Sequence, residues 1–150
     1  MKQRLLIASD HGGWELKEQI KSAFPQMEWI DLGPKSKELS VDYPDYADLL
    51  CSQVKKNSES PQGILVCGSG QGMAMRANKF PQVRAALVWS EESTRLSREH
   101  NNANILCLGG RLLPIKVALD CVKVFLETTF ANGRHTSRVE KIHKMIPPSD

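Results

Sequence analysis

A cysteine ends an apolar run and opens a glycine-rich turn in Gly63-Ile64-Leu65-Val66-Cys67-Gly68-Ser69-Gly70-Gln71-Gly72. Ile64-Leu65-Val66 is short and partly β-branched, as a strand covered on both faces should be, and the alternating glycines let backbone amides approach a ligand closely. If a helix follows, its first N–H groups carry positive partial charge. They would favour a thiolate or a developing oxyanion beside them. The segment alone supports two readings, an anion site with a reactive thiol, or a packed core cysteine followed by an ordinary turn.

Other residues able to do chemistry fall at element boundaries. Asp10-His11-Gly12-Gly13 follows an apolar run directly, so Asp10 is either a helix cap or a reacting carboxylate. His100-Asn101 ends a helical pattern, where a protonated histidine also serves as a C-terminal cap. Arg134 and Arg138, four residues apart, share a face of a helix and could hold a phosphate with forked donors, or form a solvated basic face. The glycine loop is not a dinucleotide fingerprint, because Met73 takes the third glycine's place, nor a Walker loop, because the closing Gly-Lys-Ser/Thr is missing. A smaller anionic ligand fits it better.

The elements that would position these groups alternate strictly. Strands are predicted at Leu5–Ala8, Trp29–Ile30, Gly63–Cys67, Arg84–Val88 and Ile105–Leu108. Helices are predicted from Trp14, through Tyr46 to Val54 with Pro44 in the first turn, over Met73–Asn78, over Glu91–Asn101, and from Pro114 to Leu126. A separate basic-polar helix is expected in the tail, 132–150. Parallel strands need crossover connections, so the alternation predicts an α/β fold, a parallel sheet with helices on both faces. Ligands in such sheets bind beyond the carboxyl ends of the strands, which would gather Asp10-His11, Cys67–Gly72 and Gly109-Gly110-Arg111 along one edge.

The 150 residues suit a single domain, 1–150, with a sizeable core. No apolar stretch approaches the roughly 20 residues that span a bilayer, and the first residues lead straight into a strand without a signal peptide's apolar core, so a cytoplasmic protein without membrane contact is expected. The net charge is +3, with Lys and Arg spread along the chain, so no nucleic-acid partner is expected. Cys51, Cys67, Cys107 and Cys121 are widely spaced with no C-x-x-C pair, a pattern of reduced thiols rather than of disulfides or zinc.

Taken in order, several motifs resemble those of the type B ribose-5-phosphate isomerases, in the ribose/galactose isomerase family: Ala8-Ser9-Asp10-His11-Gly12-Gly13, Asp42-Tyr43-Pro44-Asp45-Tyr46-Ala47, Gly63–Gly72, Ala77-Asn78-Lys79-Phe80, Leu96–Asn101, and Gly133-Arg134-His135 with Arg138. The resemblance runs nearly end to end. It implies a three-layer α/β/α sandwich, a Rossmann-like five-stranded parallel sheet with a C-terminal helix. It also implies no metal or organic cofactor, and a homodimer or homotetramer with active sites shared between subunits. The activity it implies is interconversion of ribose 5-phosphate and ribulose 5-phosphate, a step of the pentose phosphate pathway.

By that resemblance, Cys67 is the base that moves a proton between C1 and C2, and His100 the ring-opening acid. Asp10 and His11 would contact the sugar and Tyr43 would line the pocket. Ser69 and the amides of Gly68, Gly70, Gln71 and Gly72 would cradle the enediolate, while Asn101, Arg111, Arg134 and Arg138 complete the substrate and phosphate site. His100, Asn101 and Arg111 would reach the pocket from a neighbouring subunit. Two positions stand out against the family: Met73 sits where one subgroup has a glutamate base, and Arg76 replaces a usually small residue. A 6-phosphosugar substrate such as allose or galactose 6-phosphate, and a non-catalytic sugar-phosphate-binding subunit, are the alternatives.

Overall fold

A computed structural model describes residues 1–150. Five strands, β1 (Arg4–Ser9), β2 (Glu28–Asp31), β3 (Gly63–Cys67), β4 (Ala85–Leu87) and β5 (Ile105–Gly109), form one parallel sheet in the order β2-β1-β3-β5-β4. Helices α1 (Trp14–Ala23), α2 (Tyr43–Cys51), α3 (Gln71–Ala77), α4 (Glu91–Glu99), α5 (Ile115–Glu127) and α6 (Thr136–Ile142) connect and follow them. Right-handed crossovers dictate which face each helix takes. The chain steps one way across the sheet from β1 to β2 and from β4 to β5, and the other way from β2 to β3 and from β3 to β4. Accordingly α1 and α4 share one face with α5, while α2 and α3 pack together on the other.

The strands alternate between these two layers, as a period of two requires. Ile64, Val66, Leu106 and Leu108 join Leu16, Ile20, Val122 and Phe125 in the core under α1 and α5. Leu65, Cys67, Ile105 and Cys107 join Leu50, Cys51, Met73 and Ala77 under α2 and α3. Cys67 therefore points into the layer that carries the glycine loop's own helix. No helix is long and apolar enough to cross a membrane.

The edge strand β4 is guarded by a side chain. The Asn78 amide donates to the Ala85 carbonyl and accepts from the Ala85 N–H, both at 2.9 Å, so the backbone groups of Ala85 that face away from β5 are already paired. An edge blunted in this way resists sheet-to-sheet association.

Several boundaries differ from the sequence expectation. Helix α3 begins at Gln71 rather than Met73, because Gly70, with φ +78°, turns the chain into the helix before any apolar period is visible. Helices α2 and α4 stop at Cys51 and Glu99, short of Val54 and Asn101. The tail is not one helix over 132–150: a 3-10 turn at Gly133–His135 leads into the seven-residue α6, and no regular element follows Ile142.

Candidate active site

The carboxyl ends of β1, β3 and β5 are stitched into one surface by backbone hydrogen bonds. Asp10 N donates to Val66 O (3.1 Å), Gly110 N to Cys67 O (2.8 Å) and Arg111 N to Gly68 O (3.0 Å). Helix α1 leaves β1 toward one face and α3 leaves β3 toward the other, so the crevice between them is a topological switch point. Asp10, His11, Cys67, the glycine loop and Arg111 all meet there.

Cys67 is 4% exposed, and its Sγ accepts the N–H of Gly70 at 3.1 Å. Gly70 can be nothing larger. Its φ is left-handed, and a Cβ there would lie 2.8 Å from the Leu108 carbonyl carbon and 3.0 Å from Gly109 N. The first turn of a helix leaves N–H groups without intrahelical partners. In α3 the Gln71 N–H turns to Ser69 Oγ at 3.3 Å, and Ala74 N bonds Gly70 O. Burial pushes the Cys51 thiol up to about 12 and raises Cys107 and Cys121 as well, so these three remain protonated packing groups.

The residues around Cys67 are held by contacts from several segments, one of them the Asp10 cap that the sequence offered. Asp10 caps the 3-10 turn His11–Gly13 by accepting the Gly13 N–H at 2.9 Å. His11 Nδ1 lies 3.1 Å from Val41 N and 3.2 Å from Val41 O, so one residue of the 32–42 loop holds the ring in either tautomer. The start of that loop is anchored by Lys17, whose fully buried ammonium donates to Asp31 (2.8 Å) and to Pro34 O (2.7 Å). Burial works to raise the Asp31 carboxyl, but bonds from Lys17, Lys21 and the Gly33 N–H outweigh it and hold the group below its ordinary range. Tyr43, 40% exposed, lays its ring against Gly72, where a Cβ would come within 2.5 Å of ring carbons. Arg76 forks onto Asp48 at 2.7 and 2.9 Å, joining α3 to α2 across the surface and away from the crevice.

Arg111 departs from expectation. Its guanidinium lies over this chain's own glycine turns, with Cζ 3.2 Å from where a Gly12 Cβ would be and Cδ 3.5 Å from that of Gly68. Within one chain, Arg111 thus lies at its own crevice. The arginine follows β5, whose carboxyl end sits beside that of β3, and the Arg111 N–H bond to Gly68 fixes it there.

His100, Asn101, Arg134 and Arg138 form a second group at the opposite edge. Helix α4 starts at the carboxyl edge and runs back, so its end lies where the strands begin. The Asn102 carbonyl there accepts from Arg84, just before β4, and Arg98 reaches Glu59, in the segment before β3. Helix α5 also runs back and delivers the turn at Gly133–His135 to the same edge, where Ala131 N bonds Glu99 O (3.0 Å). His100 stacks on His135, with ring centroids 4.2 Å apart and an interplanar angle of 13°. Burial, together with nearby His100, Arg134 and Arg138, holds His135 below the usual imidazole range, so it is neutral at neutral pH. Arg134 lies in the 3-10 turn rather than in a helix with Arg138, and both are exposed. A five-residue strand spans roughly 13 Å, so the two groups of one chain lie on opposite rims of the sheet.

A family model described as Ribose/Galactose Isomerase matches residues 5–142. A probable ribose-5-phosphate isomerase B of Mycoplasma genitalium is 44% identical over 144 residues, 95% of each chain. The ribose-5-phosphate isomerase B of Escherichia coli is 37% identical over 142 residues, covering 93% of this chain and 94% of that one. Among solved structures, the Mycoplasma genitalium enzyme with bound ribulose 5-phosphate superposes with a TM-score of 0.89 at 44% identity, covering 95% of both chains. The Clostridium thermocellum ribose-5-phosphate isomerase B gives 0.88 at 43% identity, over 94% of this chain and 95% of that one.

Proposed function

The chain belongs to the ribose/galactose isomerase family, and from that premise we propose that residues 1–150 act as one sugar-phosphate isomerase domain that interconverts ribose 5-phosphate and ribulose 5-phosphate. The observation that carries the reading is Cys67 at the switch-point edge, its sulfur facing the Gly70 amide and flanked by the loop Gly68–Gly72. Aldose–ketose exchange needs one base near both carbons and donors aimed at the charge that builds on the oxygens. The Cys67 thiolate takes the proton from C2 of the open-chain aldose, leaving an enediolate. The thiol then returns a proton to C1 while the C2 hydroxyl proton moves to O1, so the carbonyl passes from C1 to C2. Loop amides and Ser69 stabilise the intermediate charge, and Asp10, His11 and Tyr43 orient the sugar.

The ring-opening acid His100 and the phosphate ligands Arg134 and Arg138 lie on the far rim of their own chain. A homodimer that sets the far rim of one copy against the crevice of the other completes both sites, with Arg111 already present in each crevice. Four unpaired, buried cysteines fit a reducing cytoplasm.

A substrate panel tests the assignment. Ribose 5-phosphate should give the highest kcat/KM, well above allose 6-phosphate, galactose 6-phosphate and unphosphorylated ribose. A preference for a 6-phosphosugar would move the chain to the six-carbon branch. Sugar binding with no turnover of any member would make it a binding subunit. In the same assay Gly72→Ala, which forces Tyr43 off the loop, should lower kcat/KM by up to about 10²-fold while the protein stays folded in a thermal melt.

A further inference from the structure

One buried arginine organises the far rim without lying in the site. Arg98 is 2% exposed and spends its guanidinium on neutral oxygens from three segments. Nε donates to Thr128 O (3.1 Å), Nη1 to Asn102 Oδ1 (3.2 Å) and Ala103 O (2.6 Å), and Nη2 to Glu59 O (2.8 Å). Its face also rests over the Phe125 ring at 5.8 Å. We propose that Arg98 is a positioning residue for the ring-opening and phosphate half of the site, clamping the His100-Asn101 turn to the end of α5.

The geometry supports this in two ways. His100 and Asn101 are bracketed: Arg98 precedes them in the chain, and its side chain grips Asn102 and Ala103 immediately after them. Asn102 turns there with φ +50°, so the dipeptide is presented by a short turn closed at both ends. On the other side, Thr128 caps α5 and leads within a few residues to Arg134, while Ala131 N is tied to Glu99 O. A single planar fork thus sets the spacing between His100 and the phosphate arginines. A lysine ammonium, a compact donor without that fork, cannot reach four oxygens in three segments. Burying a charge among neutral acceptors is also a poor way to gain stability alone, since apolar packing does as well or better.

The inference rests on the function proposed above, and its test separates the two. Arg98→Lys and Asn102→Gly, the second keeping the left-handed turn while removing the amide, are compared with the parent. Five quantities are measured: thermal melting, kcat and KM for ribose 5-phosphate, inhibition by inorganic phosphate, and alkylation of Cys67 by iodoacetamide. In folded variants, KM and the phosphate inhibition constant should rise about tenfold, while Cys67, on the opposite rim, is alkylated at the parent rate. Lowered melting temperatures with unchanged KM and unchanged phosphate inhibition in both variants would make Arg98 purely structural and overturn the inference. A parent protein that neither isomerises ribose 5-phosphate nor responds to phosphate would overturn the functional reading instead.

Discussion

Cys67→Ala should lower isomerisation of ribose 5-phosphate by about 10²–10⁴-fold, the usual worth of a positioned general base, while the dissociation constant for the sugar phosphate stays near that of the parent. Turnover and calorimetric binding measured on the same preparation check both halves. The substitution removes only the sulfur from a small buried side chain, so the fold should survive. The loop is also tied by backbone bonds that do not involve the sulfur, from Gly110 N to Cys67 O, Arg111 N to Gly68 O and Ala74 N to Gly70 O, and should stay in place. No neighbour can take over the role at the same place: Met73 is apolar and buried, Ser69 is a weak base, and Cys51 and Cys107 are held protonated by burial. Near-normal turnover in the variant would remove Cys67 from the chemistry and leave His11 as the residue to examine.

The second large effect concerns the two rims. Cys67→Ala and His100→Ala should each be nearly inactive alone, and mixing them under conditions that exchange subunits should restore activity. In a twofold dimer whose sites combine the crevice of one copy with the far rim of the other, random mixing makes half the dimers mixed, each with one intact site. The recovery approaches about a quarter of the parent activity. Native mass spectrometry establishes that mixed dimers have formed. Mixed dimers without recovered activity would mean that each site draws on a single chain, and that the far-rim residues serve another purpose.

Much of this architecture was legible in the sequence because its signals are local. Gly63–Cys67 matches β3 residue for residue, since an apolar β-branched run bounded by glycine has few other readings. Alternating strands and helices sufficed for a parallel sheet. The strand order was not legible, because nothing local in the segment Ala85–Leu87 says that it lies outside β5 rather than beside β3. The division of the site followed from direction rather than motif: a helix leaving the carboxyl edge must end at the other rim, so His100 is kept from its own Cys67. Arg111 was expected from a neighbour, and the register of β5 beside β3 put it in its own crevice. Lys17 and Arg98 left no sequence signal at all, being charged residues on helices whose buried partners are mostly backbone carbonyls of distant segments.

The central claim is that the Cys67 sulfur carries the proton between C1 and C2, and hydrogen exchange with solvent reads that step directly. Ribulose 5-phosphate is converted in deuterated water, and the label is followed by NMR with the parent and with Cys67→Ala saturated with substrate. The parent should place deuterium at C2 of ribose 5-phosphate, and the variant should do so about 10²–10⁴-fold more slowly. Deuterium entering C2 at the parent rate in the variant would contradict the account.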